Sequence, residues 1–535
     1  MKQHKKAMSA LLLAMIITST MPVMAMADVG DGAIIEVSSS AEETTVREVM
    51  VTESYSRQAM MGINYTLVGE FGGNMAWNLS NEGVLTISGE GEMEFEDDKA
   101  PWFEYTDLIE KVVITEGVTS IANEAFYSCR QLKEVELPDS LSSIGEKAFC
   151  YSRELEQITI PKNVKSIGAQ AFNTYGELTE LNVQSGNKYF SSSEGVLFNK
   201  DKTTLIQYPS NKTGKSYKIP ETVTEIGDHT FAYSKLKEID IPDSVEVIGE
   251  RAFFSAAIEE FNIPASVKEI RSWAFAGCGE VESFSVAKAN KYYCADANDV
   301  LYNKDMTVLM NFPAEKDLES YIIPNGVVTI ADHAFDSPGL FNISIPDSVE
   351  YIEEYAFSNC YNLNQIELPA DLKELGWGAF DYCENLKEIV LPDALDTIQF
   401  DTFRGCVSLK KVVLPKNLTT IEDYAFFGCD SLMDGVVYYD GEEENWNKID
   451  IWEGNESLLN ATIHFTVEEE VSVGNINGDN DINSADVNLL YRGIMDFEEL
   501  SEEQQVAADV NSDGKVNSAD VNLLYRYVMG YAELQ

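Results

Sequence analysis

Near its C-terminal end the chain spaces hard oxygen ligands as a divalent cation requires. In Asp509-x-Asn511-x-Asp513-Gly514-Lys515-x-Asn517-x-x-Asp520, side-chain oxygens recur at loop positions 1, 3, 5, 9 and 12, and the Lys515 carbonyl falls at position 7. Calcium takes about six to eight oxygens, which alternate side chains on a tight loop supply, and glycine at position 6 permits the turn. An upstream copy reads Asn475-x-Asn477-x-Asp479-Asn480-Asp481-x-Asn483-x-x-Asp486. It has Asn475 at position 1 and Asn480 where glycine is usual. Asn tolerates left-handed backbone, so this loop can close, but its fewer carboxylates predict weaker binding. The copies lie 34 residues apart, and each runs into the same segment, NSADVNLLYR. A polar turn without metal accounts for one such loop, not for two with an identical sequel. Two calcium ions are expected.

Each loop must be followed by a helix, and the second runs from Val521 to Met529. Position 12 is Asp in both copies rather than the bidentate Glu of an ordinary EF-hand. With the tandem duplication, that departure resembles a type I dockerin over residues 473–535. The resemblance implies a small all-α domain with two EF-hand-like loops, docking on a cohesin module of a cellulosome scaffoldin. In that family the contacts come from the pair before position 12 and from the following helix. The matching residues are Ser484, Ala485, Tyr491 and Arg492, and Ser518, Ala519, Tyr525 and Arg526. The pair is Ser-Ala in both copies, where the family uses a hydroxyl pair or a small aliphatic pair, so the cohesin type stays open. Exposed aromatic and Arg side chains suit an interface hot spot; Tyr491 and Tyr525 read equally well as packing between the two helices.

Most of the chain is a different device. From Leu132 the pattern L-x-x-[IV]-x-[IL]-P-x-x-[VL]-x-x-[IL]-x-x-x-A-F recurs at Leu155, Leu340, Leu363, Leu386 and Leu409, with steps of 22 or 23 residues joining Leu236, Ile258 and Val281. A fixed period with a stacked apolar set signals a solenoid. Leu132, Val135 and Leu137 point inward along one strand, and Pro138 stops it because proline cannot donate to a ladder. Leu141 and Ile144 form a second inward edge, and Phe149 fills the corner. One unit cannot bury that face without neighbours. Two units carry the similar inserts GVLFNKDKTTLIQYP (Gly195 to Pro209) and DVLYNKDMTVLMNFP (Asp299 to Pro313). Each is expected to be a hairpin turned at Asn-Lys-Asp and projecting from the rungs. The array resembles the BspA-like leucine-rich repeats of bacterial surface and secreted proteins, which implies adhesion or protein binding without naming a partner.

The resulting organisation is a signal peptide at 1–27, a flexible spacer at 28–65 and an N-terminal β-hairpin cap at 66–108. A β-rich leucine-rich-repeat solenoid follows at 109–431, with inserts near 184–213 and 287–317. A C-terminal cap at 432–466, a linker at 467–472 and the calcium-binding domain at 473–535 complete it. The leader has Lys2, Lys5 and Lys6, an apolar run from Ala10 to Ile17 and Ala25-Met26-Ala27 before Asp28, as export requires. No other segment is apolar enough to span a bilayer, and no sortase-type tail is read, so the protein is expected to be extracellular and held non-covalently at the cell surface through a cellulosome. With 38 Lys+Arg against 90 Asp+Glu the net charge is -52, which disfavours nucleic acid and anionic lipid. Cys129, Cys278, Cys360, Cys383, Cys406 and Cys429 each fall three residues after a Phe in one repeat phase, which reads as small buried filler rather than as disulfides.

No catalytic residue is assigned. His229 and His333 share one repeat phase, His464 lies in a terminal strand, and no G-x-S-x-G or H-E-x-x-H motif occurs. The outward positions of the rung strands form a mixed-charge face: Lys133, Glu134, Glu136; Glu156, Gln157, Thr159; Lys237, Glu238, Asp240; Asn364, Gln365, Glu367; Lys410, Lys411, Val413. Phe341 is the exception to their scarcity of aromatics, so a protein ligand is favoured over a polysaccharide. The reading is a secreted, non-catalytic binding or adhesion protein whose dockerin brings it to an assembly that breaks down plant cell wall polysaccharide. The alternatives are a component acting directly in polysaccharide catabolism and an inert structural spacer.

Overall fold

The computed structural model describes residues 34–37, 65–72, 74–95, 99–465, 473–477, 482–495, 500–511 and 514–529. The expected signal peptide, most of the 28–65 spacer and the 467–472 linker lie outside them. The chain divides into two compact units, residues 1–213 with 227–234, and residues 214–226 with 235–535.

In the first unit each rung has a long and a short inward edge. Gln157–Ile160 pairs in parallel with Glu180–Val183, and Lys111–Ile114 with Glu134–Glu136. The short edges Ser120–Ile121, Ser143–Ile144 and Ser166–Ile167 pair likewise. Facing residues such as Gln157 and Glu180 are 23 apart, so the sequence period is the register itself. Past the short edge the chain turns through Ala-Phe. Phe126, Phe149 and Phe172 are buried and stack face to face, with centroids 5.2 and 6.1 Å apart. Trp102 extends the stack at 5.8 Å and donates its indole N–H to the Ala125 carbonyl. The cap strands Met75–Ser80 and Val84–Gly89 are antiparallel about Gly83, whose φ is +77° and where a Cβ would lie 2.7 Å from the Leu108 carbonyl oxygen. Val84–Gly89 then pairs in parallel with Lys111–Ile114 and templates the first rung. Ile34–Val37, inside the segment read as spacer, is a strand antiparallel to Tyr65–Phe71.

The second unit repeats the rung. Phe312, Phe335, Phe357, Phe380, Phe403 and Phe426 stack at 5.2 to 5.6 Å. Its cysteines do more than fill space. In five of the six, Sγ donates to the carbonyl of a Phe in an earlier rung: Cys278 to Phe253, Cys360 to Phe335, Cys383 to Phe357, Cys406 to Phe380 and Cys429 to Phe403, at 3.0 to 3.2 Å. In the first unit Ser152, three residues after Phe149, donates its hydroxyl to Phe126 in the same way. The slot selects a small donor for a buried carbonyl. All eight cysteines are free. Burial pushes Cys150 up to about 11 and Cys278 up to about 12, which keeps them from forming the reactive thiolate. Thiol titration of the native protein is therefore expected to label little, Cys294 first because it is only half-buried, and to reach all eight after denaturation. Disulfides in a non-reducing mass map would overturn this.

At the end of the repeats, Val436–Tyr439 and Thr462–Phe465 extend the parallel sheet of Glu388–Val390 and Lys411–Leu414. Helices α1 (Glu443–Trp446) and α2 (Glu456–Leu459) flank them. Buried Asn455 fastens this cap: its Oδ1 accepts from Phe426 N–H and its Nδ2 donates to the Glu422 carbonyl. Three further helices follow, α3 (Ser484–Ile494), α4 (Glu502–Ala508) and α5 (Ser518–Val528).

The inserts depart from expectation. Each has three strands, Phe190–Ser193, Val196–Asn199 and Thr204–Gln207 in the first, and Tyr293–Ala295, Leu301–Asn303 and Val308–Asn311 in the second. The turns form at Asn-Lys-Asp, where Asn199 and Asn303 Oδ1 accept backbone N–H groups. They do not project. Val196, Leu197 and Phe198, like Val300, Leu301 and Tyr302, are fully buried, and Val308–Asn311 pairs in parallel with Thr329–Ile330 as a short edge would. An insert is a widened rung inside the stack. Buried Asn187 and Asn290 fix its start, each donating to two carbonyls of the preceding rung and accepting two N–H groups of its own strand.

Because a widened rung lacks the outward turn, the turns before and after it meet directly. Gln170 Nε2 lies 3.0 Å from His229 Nε2, and the Trp273 and His333 rings are 4.3 Å apart. Asp332 and Asp336 accept the backbone N–H groups of Trp273 and Gly277 across the same step. The shared phase of the two histidines marks the rung after each insert.

Candidate calcium loops and binding faces

Helices α3 and α5 are positioned by capping boxes. Asn483 and Asn517 are the N-caps, with Oδ1 accepting from Ala485 and Ala519 N–H at 2.8 and 2.9 Å. Asp486 and Asp520 return the bond to the N-cap N–H groups at 2.9 Å. Their second oxygens reach back into the loops: Asp486 Oδ1 accepts from Ile476 and Asn477 N–H, and Asp520 Oδ1 from Asn511 N–H. Both aspartates are fully buried, and among the described residues neither pairs with Lys, Arg or His. Two buried carboxylates held only by backbone N–H groups suit a divalent cation. Asp509 Oδ2 accepts from Gly514 N–H at 2.7 Å, which closes the second loop, with Gly514 at φ +78°. Lys515 is exposed with its carbonyl accepting from Asn517 Nδ2 at 3.2 Å. Asp479, Asp481 and Asp513 lie outside the described residues, and among the described ones no three His, Cys, Asp or Glu side chains form a metal cluster. Asn475 is half-buried and Asn477 exposed at the mouth of the first loop. The N-cap role of Asn483 and Asn517 escaped the sequence reading, although Asn-x-x-Asp is a capping-box spacing.

The helix faces are now defined. Ser484, Ala485, Tyr491, Arg492, Ser518, Ala519, Tyr525 and Arg526 are all exposed. Tyr491 and Tyr525, about half exposed, line a groove between α3 and α5 with Val487, Met495, Val521 and Met529. The core behind them is Ile476, Leu490, Leu500, Val510 and Leu524.

On the rungs, the outward strand positions are exposed or half-buried as the alternation requires. In the first unit they are tied in ion pairs, Lys111 to Glu134 and Glu136 and Lys133 to Glu110, and Lys162 pairs with Asp139 in the turns that follow. The hydrogen bonds that Lys111 donates to Glu136 and Glu134 hold its pKa above the usual range. In the second unit Lys218 pairs with Asp240 and Lys237 with Glu259.

A model of the BspA type leucine-rich repeat region, in six copies, matches residues 99–214, 210–298 and 310–433, more than half of the chain. The chain belongs to the BspA-type leucine-rich-repeat family. A type I dockerin model matches residues 473–529, directly after the BspA-type array. Among solved structures, a leucine-rich cell surface protein of Faecalibacterium prausnitzii is 28% identical, with 72% of this chain and 97% of that one covered at a TM-score of 0.46. A leucine-rich-repeat protein of Eubacterium ventriosum is 23% identical (77% and 98%, TM-score 0.42). The pneumococcal vaccine antigen PcpA is 18% identical (75% and 98%, TM-score 0.40). No curated protein matches. BspA-type repeats and dockerins are binding modules rather than catalytic domains, and no described helix is long and apolar enough to cross a membrane. A dockerin implies calcium and a cohesin in a cellulosome setting, and the BspA-type repeats imply protein binding.

Sequence reasoning missed part of the face of the BspA-type repeats. Tyr438, assigned to the cap, and Val390 and Lys387, not singled out, are all exposed on outward positions of the last rungs. Their repeat phase was the available signal.

Proposed function

We propose that this is a secreted, non-catalytic binding protein. Its repeat face holds a protein ligand, and its dockerin attaches it, with calcium, to a cohesin on a scaffoldin of a polysaccharide-degrading assembly. Asp509, Asn511, Asp513, the Lys515 carbonyl and Asp520 would hold one ion, with Asn517 at the loop edge. Asn475, Asn477, Asp479, the Asp481 carbonyl and Asp486 would hold a second, with Asn483 at that edge. Calcium supplies the positive charge that the buried aspartates lack and fixes the loops against their helices.

One observation carries the reading: the two NSADVNLLYR segments form helices α3 and α5 that expose matched Ser, Ala, Tyr and Arg residues. Either helix can then face the cohesin, in two orientations related by a half turn. Calorimetry of the protein against a panel of cohesins in calcium tests this. Replacing Ser518, Tyr525 and Arg526 together is expected to leave affinity within about tenfold, whereas replacing the α3 set as well removes several hot-spot contacts and abolishes binding. Complete loss from the α5 set alone would sink the two-orientation reading, and silence across the whole panel would sink the docking role.

A further inference from the structure

We propose that the outward strand face of the last rungs, residues 387–390, 410–413, 436–438 and 462–464, is a docking surface for an acidic protein segment. The inference rests on the reading of the strand face as the ligand-binding side. Glu388–Val390, Lys411–Leu414, Val436–Tyr439 and Thr462–Phe465 pair in parallel, so Val390, Val413, Tyr438 and His464 form one row across four strands. Strands lie about 4.8 Å apart, which makes the row roughly 14 Å long. Val390 is 55% and Tyr438 36% exposed, and the Tyr438 ring stacks on His464 at 5.3 Å. An apolar row on the solvent side of a sheet is the feature that a partner covers.

Charge selects the partner. Lys387 and Lys410 stand three residues before Val390 and Val413 on adjacent rungs, with Lys410 N–H donating to the Lys387 carbonyl at 2.8 Å. Both are exposed, and neither forms an ion pair among the described residues. Lys411 is bridged to Glu388 at 3.3 Å. In a chain of net charge -52, two neighbouring lysines with no ion pair among the described residues, beside a third whose charge Glu388 already answers, are a local reversal of sign. Carboxylates from a partner answer both lysines, and its apolar side chains answer the valine row. The row joins two valines to the Tyr438 and His464 rings, and these two rings stack on each other, which closes their facing sides to a sugar ring. That favours a polypeptide over an acidic polysaccharide.

The test uses the full chain and a fluorescein-labelled extended peptide alternating Glu with Val and Tyr. Its Gln-for-Glu and Lys-for-Glu counterparts and polygalacturonate are the comparisons. The Glu peptide is expected to bind in a salt-sensitive way, and affinity is expected to fall about tenfold with the Gln peptide, with Lys387→Glu plus Lys410→Glu, and with Val390→Asp. The thermal melt of each variant shows whether it is folded. No binding of the Glu peptide, equal binding of the Lys peptide, or polygalacturonate competing for the same lysines would each overturn the proposal. If Lys133→Glu in the first unit weakens binding while the lysine pair does not, this patch is wrong and the strand-face reading stands. If only Tyr382→Ala, at a residue exposed in the turn two residues after Phe380, weakens it, the strand-face reading fails with it.

Discussion

Chelating calcium is expected to unfold residues 473–529 and abolish cohesin binding while the rungs of both repeat units stay folded. Among the described residues the small helical core has five large buried aliphatic side chains, Ile476, Leu490, Leu500, Val510 and Leu524, which is little for an independent domain of that length. Two ions at about a hundred times their dissociation constants contribute about 5 kcal/mol, as much as a small domain's whole stability. The rungs draw on separate cores that hold no such loop. The two loops differ. The second has carboxylates at positions 1, 5 and 12 (Asp509, Asp513, Asp520), the first only at 5 and 12 (Asp479, Asp486). Replacing Asp486 or Asp520 by Ala removes an equivalent capping box, and Asp486→Ala loses the larger set of loop N–H bonds, so a greater loss of calcium affinity at Asp520 would reflect the metal rather than the cap. Asp520→Ala is expected to lower that affinity more. Far-UV circular dichroism and calcium calorimetry read both effects, and folding of residues 473–529 in excess chelator would refute the account.

Excising the first insert, residues 195–209, is expected to unfold the first unit. Val196, Leu197, Phe198 and Leu205 are all fully buried, and at about 1.5–3 kcal/mol each their loss approaches roughly 6–12 kcal/mol, within the range of a domain's total stability. Phe380→Ala in the second unit should cost about 3–5 kcal/mol, because the ring is sandwiched between Phe357 and Phe403 at 5.2 and 5.6 Å. Asp201→Ala, at the exposed turn of the same insert, should stay within about 0.5 kcal/mol. Denaturant titration of the three variants gives the comparison. A folded deletion mutant would show that the insert is an appendage after all.

What the sequence discloses follows how local its physics is. The rung register is legible because Pro138, Leu141 and Phe149 recur at a fixed step, and parallel pairing converts that step directly into contact. The helices after the loops are legible for the same reason. The inserts are not, because Asn-Lys-Asp between apolar runs describes an exposed hairpin and a buried one equally well. The discriminating detail is the consecutive run Val196-Leu197-Phe198, which no half-exposed strand with alternating faces would carry. The cysteine slot reads as filler from the phase of the cysteines alone; Ser152 in the same slot shows that a donor is wanted. Loop spacing alone makes Asn483 and Asn517 metal ligands, whereas their Oδ1 atoms cap the helices.

The widened rungs also change how far along the chain two touching turns lie. An ordinary rung meets its neighbour across 23 residues, but Gln170 meets His229, and Gly277 meets Asp336, across 59. Closing the longer segment costs about 0.8 kcal/mol more in chain entropy, since the penalty grows only with the logarithm of length. Added chain therefore costs little in closure entropy so long as the turns on either side of it still meet. Growth of this solenoid by lengthening a rung is limited by what the new strands can bury, not by the length they add.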